Sequence, residues 1–456
     1  MRWFALGVLL AGCSGAAGPA AGGARIAVFS ADITPPIGHA LCGGMVKPAA
    51  RVADPLSARG LVLQGDGEPV VLLALDWTEL RNEAYDRWRG ELARAVGTSP
   101  RRVFLSCVHQ HDAPYADLET QRLLDGQGLK GFHVDPEFHE RALQTVVAAL
   151  REAWRSPRPV THLGMGEGEV QGVACNRRVV APDGRVTFKR YSKTADPAIK
   201  NAPEGTIDSR LKTLSFWDGD RAIAALSVYA VHPMSYYNTG AVSADFPGLA
   251  RTLHQQKTDV FQIYASGCAG DVTAAKYNNA DEESRVRLAE RLRSAMARAW
   301  EGSRRVPLAK WEVRSAPLRF EVPASGPASV PAMEKTLADA AAPKSERLNA
   351  ALGLSWARRV AADRPIDVPA IDFGAAQLVL LPAEAFVEYQ LAAQRLRPDQ
   401  FIVTLGYGEC GPGYIPTEAA RAEGYVEEHG YCWVAAGAEE RLRRALAQAL
   451  NAAATR

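Results

Sequence analysis

Val103-Phe104-Leu105-Ser106-Cys107-Val108-His109-Gln110-His111-Asp112-Ala113-Pro114 opens as an apolar, β-leaning run and closes on two histidines, an aspartate and a proline. The opening reads as a buried strand. In an extended backbone, residues two apart face the same side, so His109 and His111 are expected to project together from the strand's C-terminal end. Open α/β sheets hold their ligand sites at such ends. A neutral imidazole is the commonest protein ligand for a metal, zinc included. Two loop histidines bonded to backbone would leave the same trace, so the rest of the chain has to decide.

Working outward, residues 61–64 and 70–75 read as strands joined by Gly65-Asp66-Gly67, and 82–96 carries helical spacing. Residues 136–154 form a second helical pattern, with Phe138, Ala142, Leu143, Val146, Val147 and Leu150 as its apolar stripe. Residues 209–217 and 222–231 read as a strand pair that delivers His232-Pro233 into a loop, repeating the opening arrangement. Another strand, 260–264, runs into Gly267-Cys268-Ala269-Gly270-Asp271-Val272-Thr273. Helices are expected over 282–300, 333–360, 387–396 and 438–453, and strands over 375–381 and 401–405. No internal repeat is visible. Strands alternating with helices predict an α/β fold: a layered mixed β-sheet with flanking helices, in one large catalytic domain over 25–456.

The composition is globular, with 47% hydrophobic and 23% charged residues in 456 and a formal charge of +2. That balance, without Lys/Arg blocks, gives no support for nucleic-acid binding. Residues 1–13 begin with Arg2 and continue as a short apolar run, too short to span a bilayer as a mature helix. Leu10-Ala11-Gly12-Cys13 resembles a bacterial lipoprotein cleavage box, with an ordinary signal peptide as the alternative. The expectation is an exported protein of the bacterial cell envelope, lipid-anchored through Cys13, with 1–24 as signal and tether. Among the other cysteines no C-x-x-C pair occurs, so a cysteine zinc cluster is not expected. Cys410 and Cys432 flank one loop and form the best candidate disulfide, whereas Cys107 and Cys268 are expected as buried thiols.

Three strand ends therefore offer metal-type ligands: His109, His232 and Glu384. Two histidines and a glutamate form a catalytic zinc set that leaves a position open for water. Glu384 alone would equally suit a helix N-terminus. Asp245 is expected either to orient a ligand histidine or to cap a turn. The remaining histidines, His39, His133, His139, His162, His254 and His429, are read as ordinary surface or core residues.

Over roughly residues 25–435 the chain resembles the neutral/alkaline (non-lysosomal) ceramidase family. Asp32-Ile33-Thr34-Pro35-Pro36 is similar to that family's N-terminal signature, and Asp54-Pro55-Leu56-Ser57-Ala58-Arg59 to its next motif. Val108-His109-Gln110-His111 resembles the family's T-H-T-H run. The resemblance implies zinc on His109 and a substrate-facing role for His111. Asn176-Arg177 is similar to an N-R pair whose arginine lines the active site, and His232-Pro233 to the second zinc histidine. Gly270-Asp271-Val272-Thr273 resembles G-D-V-S, Pro382-Ala383-Glu384 the segment with the zinc glutamate, and Gly413-Tyr414-Ile415 the segment with a zinc-bound tyrosine. Tyr425 lies one residue short of the family's second active-site tyrosine.

There are departures. Thr273 stands where the family has serine, and Asp112-Ala113-Pro114 where it has S-G-P. The C-terminal β-sandwich of the longer ceramidases is not expected within these residues. The resemblance thus implies a Zn2+-dependent hydrolase of linear N-acyl amides. His109, His232, Glu384 and Tyr414 would hold the metal, and His111, Arg177, Thr273 and Tyr425 would act on a small-molecule or lipid substrate. Rival readings are a hydrolase of another N-acyl or ester compound, such as an acylated glycan or lipid ester, and a binding lipoprotein without turnover.

Overall fold

In the computed structural model, which describes residues 23–452 apart from 182, 189 and 309, the protein is an α/β domain. The expected signal segment and Cys13 lie outside the described residues. Instead of one layered sheet there are three mixed sheets, each ending at one edge in a parallel strand pair. In the first, Val103–Cys107 pairs in parallel with Val70–Leu75, followed by Ser57–Gln64 and Arg25–Asp32 antiparallel. In the second, Phe261–Ser266 pairs in parallel with Arg221–Tyr229, with Arg210–Asp218 and His162–Glu169 beyond. In the third, Ala376–Leu380 and Phe401–Leu405 are the parallel pair.

A parallel pair needs a crossover connection, usually a helix. Each pair has one: Asn82–Val96, Asp245–Thr258 and Val387–Leu396 respectively. The molecule therefore contains three strand–helix–strand units, although no repeat is visible in its sequence. Their strand ends converge. Ser266 Oγ donates to the Val108 carbonyl at 2.7 Å. The Gly406 N–H donates to Ser266 at 2.9 Å, and the Cys107 N–H to Tyr407 at 3.0 Å. The buried Val, Leu and Ala of these strands form one continuous core behind that meeting point.

Several local outcomes differ from the sequence reading. The opening strand stops at Cys107, and His109 adopts a left-handed backbone with φ 72°. Strand alternation therefore does not explain why His109 and His111 face together; the turn after the strand does. The helix expected over 333–360 is two helices, Val330–Ala338 and Lys344–Ala361. Pro343 separates them, because a proline disfavours the α region for the residue before it. Cys410 and Cys432 are not bridged; both are buried thiols, as are Cys107 and Cys268. The helix Asp245–Thr258 and the strand His162–Glu169 have no counterpart among the elements expected from the sequence. Alternate glycines in that strand carry no hydrophobic signal; a Cβ on Gly166 would lie 1.8 Å from the Ala299 carbonyl of the helix packed on it.

Candidate metal centre

Each strand–helix–strand unit delivers one ligand-type group to the convergence point. His109 follows the second strand of the first unit; His232 and Glu384 follow the first strands of the other two. The His109 and His232 Nε2 atoms are 2.9 Å apart, and Glu384 Oε2 lies 3.3 Å from the first and 3.1 Å from the second. His109 Nδ1 is 3.0 Å from the Thr78 carbonyl, and His232 Nδ1 is 2.7 Å from that of Ala269. A carbonyl only accepts, so each Nδ1 carries the proton and each neutral ring turns its Nε2 lone pair inward.

With both rings neutral, two nitrogen lone pairs and a carboxylate oxygen face one another, the donor set of a metal site. Such a buried cluster could hold a cation. The spacing fits one, since ligands of a tetrahedral ion with bonds of about 2.0–2.1 Å sit about 3.3 Å apart. His111 and Glu79 also bring ligand-type atoms within 4.8 Å of parts of this cluster.

Tyr414 enters by pairing, because its short strand lies parallel to that of Glu384 with the two residues opposite each other. Its hydroxyl accepts from Arg177 Nη1 at 2.9 Å. Arg177 is 4% exposed, too deeply buried for a surface ion pair. Its N–H donates to the Asp271 carbonyl at 2.7 Å, and Asn176 Nδ2 donates to the Asp271 carboxylate at 2.7 Å. The N-R and G-D-V-T segments are thus one hydrogen-bonded unit. Gly270 permits it: a Cβ there would sit 2.2 Å from the Glu384 carbonyl.

Burial opposes ionisation of Glu384, but His109 and His232 outweigh it and hold its carboxyl well below the usual range. Burial, with Arg177 and His109 nearby, pushes His232 down to about 3. Burial and both neighbouring histidines likewise push His111 well down, so it is neutral at physiological pH. For His109 burial is outweighed by Glu384 and Glu79, and its value rises. Burial pushes the Tyr414 phenol well up despite the opposing charge of Arg177.

The other assigned residues are placed as follows. His111 lines the cavity over the cluster, its ring centroid 5.0 Å from that of His109 and 5.5 Å from that of His232. Tyr425 does not line that cavity; its ring stands edge-on to Tyr414 at 5.5 Å and stacks on His429 at 4.2 Å. Thr273 is fully buried outside the cavity lining, and its hydroxyl donates to the Tyr191 carbonyl at 2.5 Å. Asp245 takes the cap alternative: it starts its helix and accepts from Phe246 N at 2.6 Å and from the Ser235 hydroxyl, while His232 is oriented by a backbone carbonyl.

Sequence reasoning missed four residues. Tyr407 stacks on His109 at 4.2 Å, His429 and Tyr237 line the cavity, and the buried Glu79 lies 3.7 Å from His109 Nδ1. Glu79 follows the end of strand Val70–Leu75, a signal of the same kind that selected Glu384. His109, Ala383 and Tyr407 all have positive φ (72°, 54° and 54°). Left-handed non-glycine backbone costs on the order of 1–3 kcal/mol and clusters at functional sites.

The cavity holds about 460 Å3 above the cluster, the size of a small-molecule site. Its floor is polar, with His109, His111, Arg177 and Glu384, and aromatic walls come from Tyr115, Tyr191, Tyr237, Tyr431 and Trp433. No family model matches the chain, and no curated protein matches it in sequence. Solved structures do match. Neutral ceramidase from Pseudomonas aeruginosa superposes with a TM-score of 0.67 over 94% of this chain and 74% of that one. The chain shares the neutral ceramidase fold. Identity over that match is 17%. A second match, a ceramidase complexed with C2, gives a TM-score of 0.66 at 17% identity, over 95% of this chain and 76% of the other.

Proposed function

We infer that this protein is a zinc-dependent hydrolase of N-acyl amide bonds, of the ceramidase type. The observation that carries the reading is the close triangle of His109 Nε2, His232 Nε2 and Glu384 Oε2 at the floor of a cavity in a ceramidase fold. Tyr414, paired opposite Glu384, would add its phenol oxygen as a fourth ligand atom. A zinc ion held there would supply Lewis acidity and a nucleophilic water near pH 7.

The chain's own residues supply the rest. His111, neutral and with an unpartnered buried Nδ1, can take the proton that the attacking water loses and pass it to the leaving amine, or hold the substrate carbonyl. Arg177 stays charged and fixes the Tyr414 hydroxyl, so a developing oxyanion meets donors already in place. The aromatic walls exclude water from the reacting groups. Thr273, whose hydroxyl is bonded to a backbone carbonyl, serves the loop and not the bond-breaking step.

The test is hydrolysis of a short-chain N-acylsphingosine by purified, zinc-loaded protein, measured beside N-acyl glycan and lipid-ester substrates. Chelator-sensitive release of fatty acid from the sphingolipid is expected. Turnover of only an ester or glycan would move the substrate assignment, and full zinc occupancy without turnover of any would favour a binding protein. We also infer, from the N-terminal sequence, a lipid anchor at Cys13 and a place in the bacterial cell envelope.

A further inference from the structure

We propose that Asp112 is a positioning residue that locks the 236–240 loop onto the histidine segment, and that Tyr237, carried by this loop, is a specificity-determining wall of the cavity. The proposal rests on the hydrolase reading only for the meaning of specificity; the clamp stands on geometry alone. Asp112 is 2% exposed and directly follows His111. One carboxylate oxygen accepts from the Asn238 N–H at 3.0 Å, and the other from the Thr239 N–H at 3.1 Å and the Thr239 hydroxyl. A carboxylate that takes three donors from two consecutive residues is a fixed point for that loop.

The far side of the loop is held as well. Asn238 Oδ1 accepts from the Lys47 N–H at 2.8 Å, and the Gly240 carbonyl accepts from the Ala50 N–H at 2.8 Å. Gly240 has φ +73°, and a Cβ there would lie 3.1 Å from the Pro48 carbonyl. Directly before these anchors stands Tyr237, 41% exposed, lining the cavity with its ring edge-on to His111 at 5.5 Å. Burial is the main cause that pushes its phenol up to about 12, so it remains a hydrogen-bond donor.

A large ring held only by loop backbone can contact substrate reproducibly if the loop does not move. Asp112 supplies that rigidity from the segment that also carries His109 and His111. Substrate contact therefore depends on a bond made by the first strand–helix–strand unit to the loop that leaves the second. A serine at 112, as in the run this segment resembles, offers one hydroxyl oxygen in place of two carboxylate oxygens.

The experiment compares full-length, zinc-loaded wild type with Asp112→Ala, Thr239→Val, Thr239→Ser and Tyr237→Ala, using amide hydrogen exchange and steady-state kinetics on a short-chain N-acylsphingosine. Asp112→Ala should speed exchange at Asn238 and Thr239 at least tenfold and leave Val103–Cys107 protected. Thr239→Val should do the same more weakly, and Thr239→Ser should restore protection. Asp112→Ala and Tyr237→Ala should both raise KM severalfold with kcat nearly unchanged and zinc content intact. Unchanged exchange in Asp112→Ala overturns the clamp. A fall in kcat that tracks zinc loss overturns the positioning role, since Asp112 would then act through the metal ligands. If wild type does not cleave the probe, the sphingolipid assignment fails while exchange still decides the clamp.

Discussion

At the scale of single residues, the functional reading depends on the close approach of His109, His232 and Glu384. Their inward lone pairs follow from two backbone carbonyls, those of Thr78 and Ala269. We expect about one zinc per chain by elemental analysis, and His109→Ala, His232→Ala and Glu384→Ala should each lose most of it. Retention in all three variants would remove the site. Thr273 offers the opposite expectation. Its hydroxyl already donates to the Tyr191 carbonyl and no histidine bonds it. Thr273→Val should therefore retain turnover within about tenfold and cost about 1 kcal/mol of stability, a typical net value for one hydrogen bond. Glu384→Ala should abolish activity, and an acyl group trapped on Thr273 during turnover would overturn the assignment.

At the scale of elements, close approach and buried imidazoles carry the load. Gly270→Ala would drive a Cβ into the Glu384 carbonyl 2.2 Å away, so that segment must shift. The variant should remain folded by circular dichroism yet bind zinc at least tenfold more weakly. On the helix Pro136–Trp154, His139 is buried and its Nε2 accepts from Trp88 Nε1 at 2.9 Å. Burial lowers its folded pKa to about 4, below an unfolded value near 6.5. The unfolded chain binds the proton first as pH falls, so stability present above pH 6.5 is lost progressively down to about pH 4. Between pH 7 and pH 5 this group costs about 2 kcal/mol. Urea unfolding of His139→Gln, which keeps an acceptor for Trp88, should show a drop smaller by about that amount. An equal drop in both proteins would reject the assignment.

Helices announced by spacing and caps were legible at this scale. Asn82–Val96, Pro136–Trp154 and Val387–Leu396 match the ranges read from the sequence. The Asp135 cap, Pro136 at the first turn and the six-residue apolar stripe are local signals. The helix Asp245–Thr258 was hidden because Pro247, Gly248 and a run of polar residues dilute its apolar face. The break at Pro343 was overridden by the Ala-rich composition on both sides.

At the scale of the whole molecule, the three strand–helix–strand units touch through the ligand cluster, so a bound cation ties them together. Chelation should lower the melting temperature by several degrees, since zinc at a hundredfold excess over its dissociation constant adds about 2.7 kcal/mol. No change in melting temperature on removing zinc would count against a site shared by three units. At the N-terminus, Cys13→Ser should release the protein from membranes or block its processing. If labelled fatty acid never enters the wild-type chain, the anchor assignment falls.

By itself, the sequence determined the α/β class, the strand ends that carry His109, His232 and Glu384, and the resemblance of its motifs to those of the ceramidases. Those are properties of short segments, where periodicity and residue type act over a few positions. Only the tertiary structure decided that the three ligands meet within 3.3 Å, that Thr273 lies outside the cavity lining, and that Tyr407, Tyr237 and Glu79 join the site. The reason is that convergence is set by packing three sheets through contacts hundreds of residues apart in the chain. A local pattern carries no record of which neighbour a strand end will find.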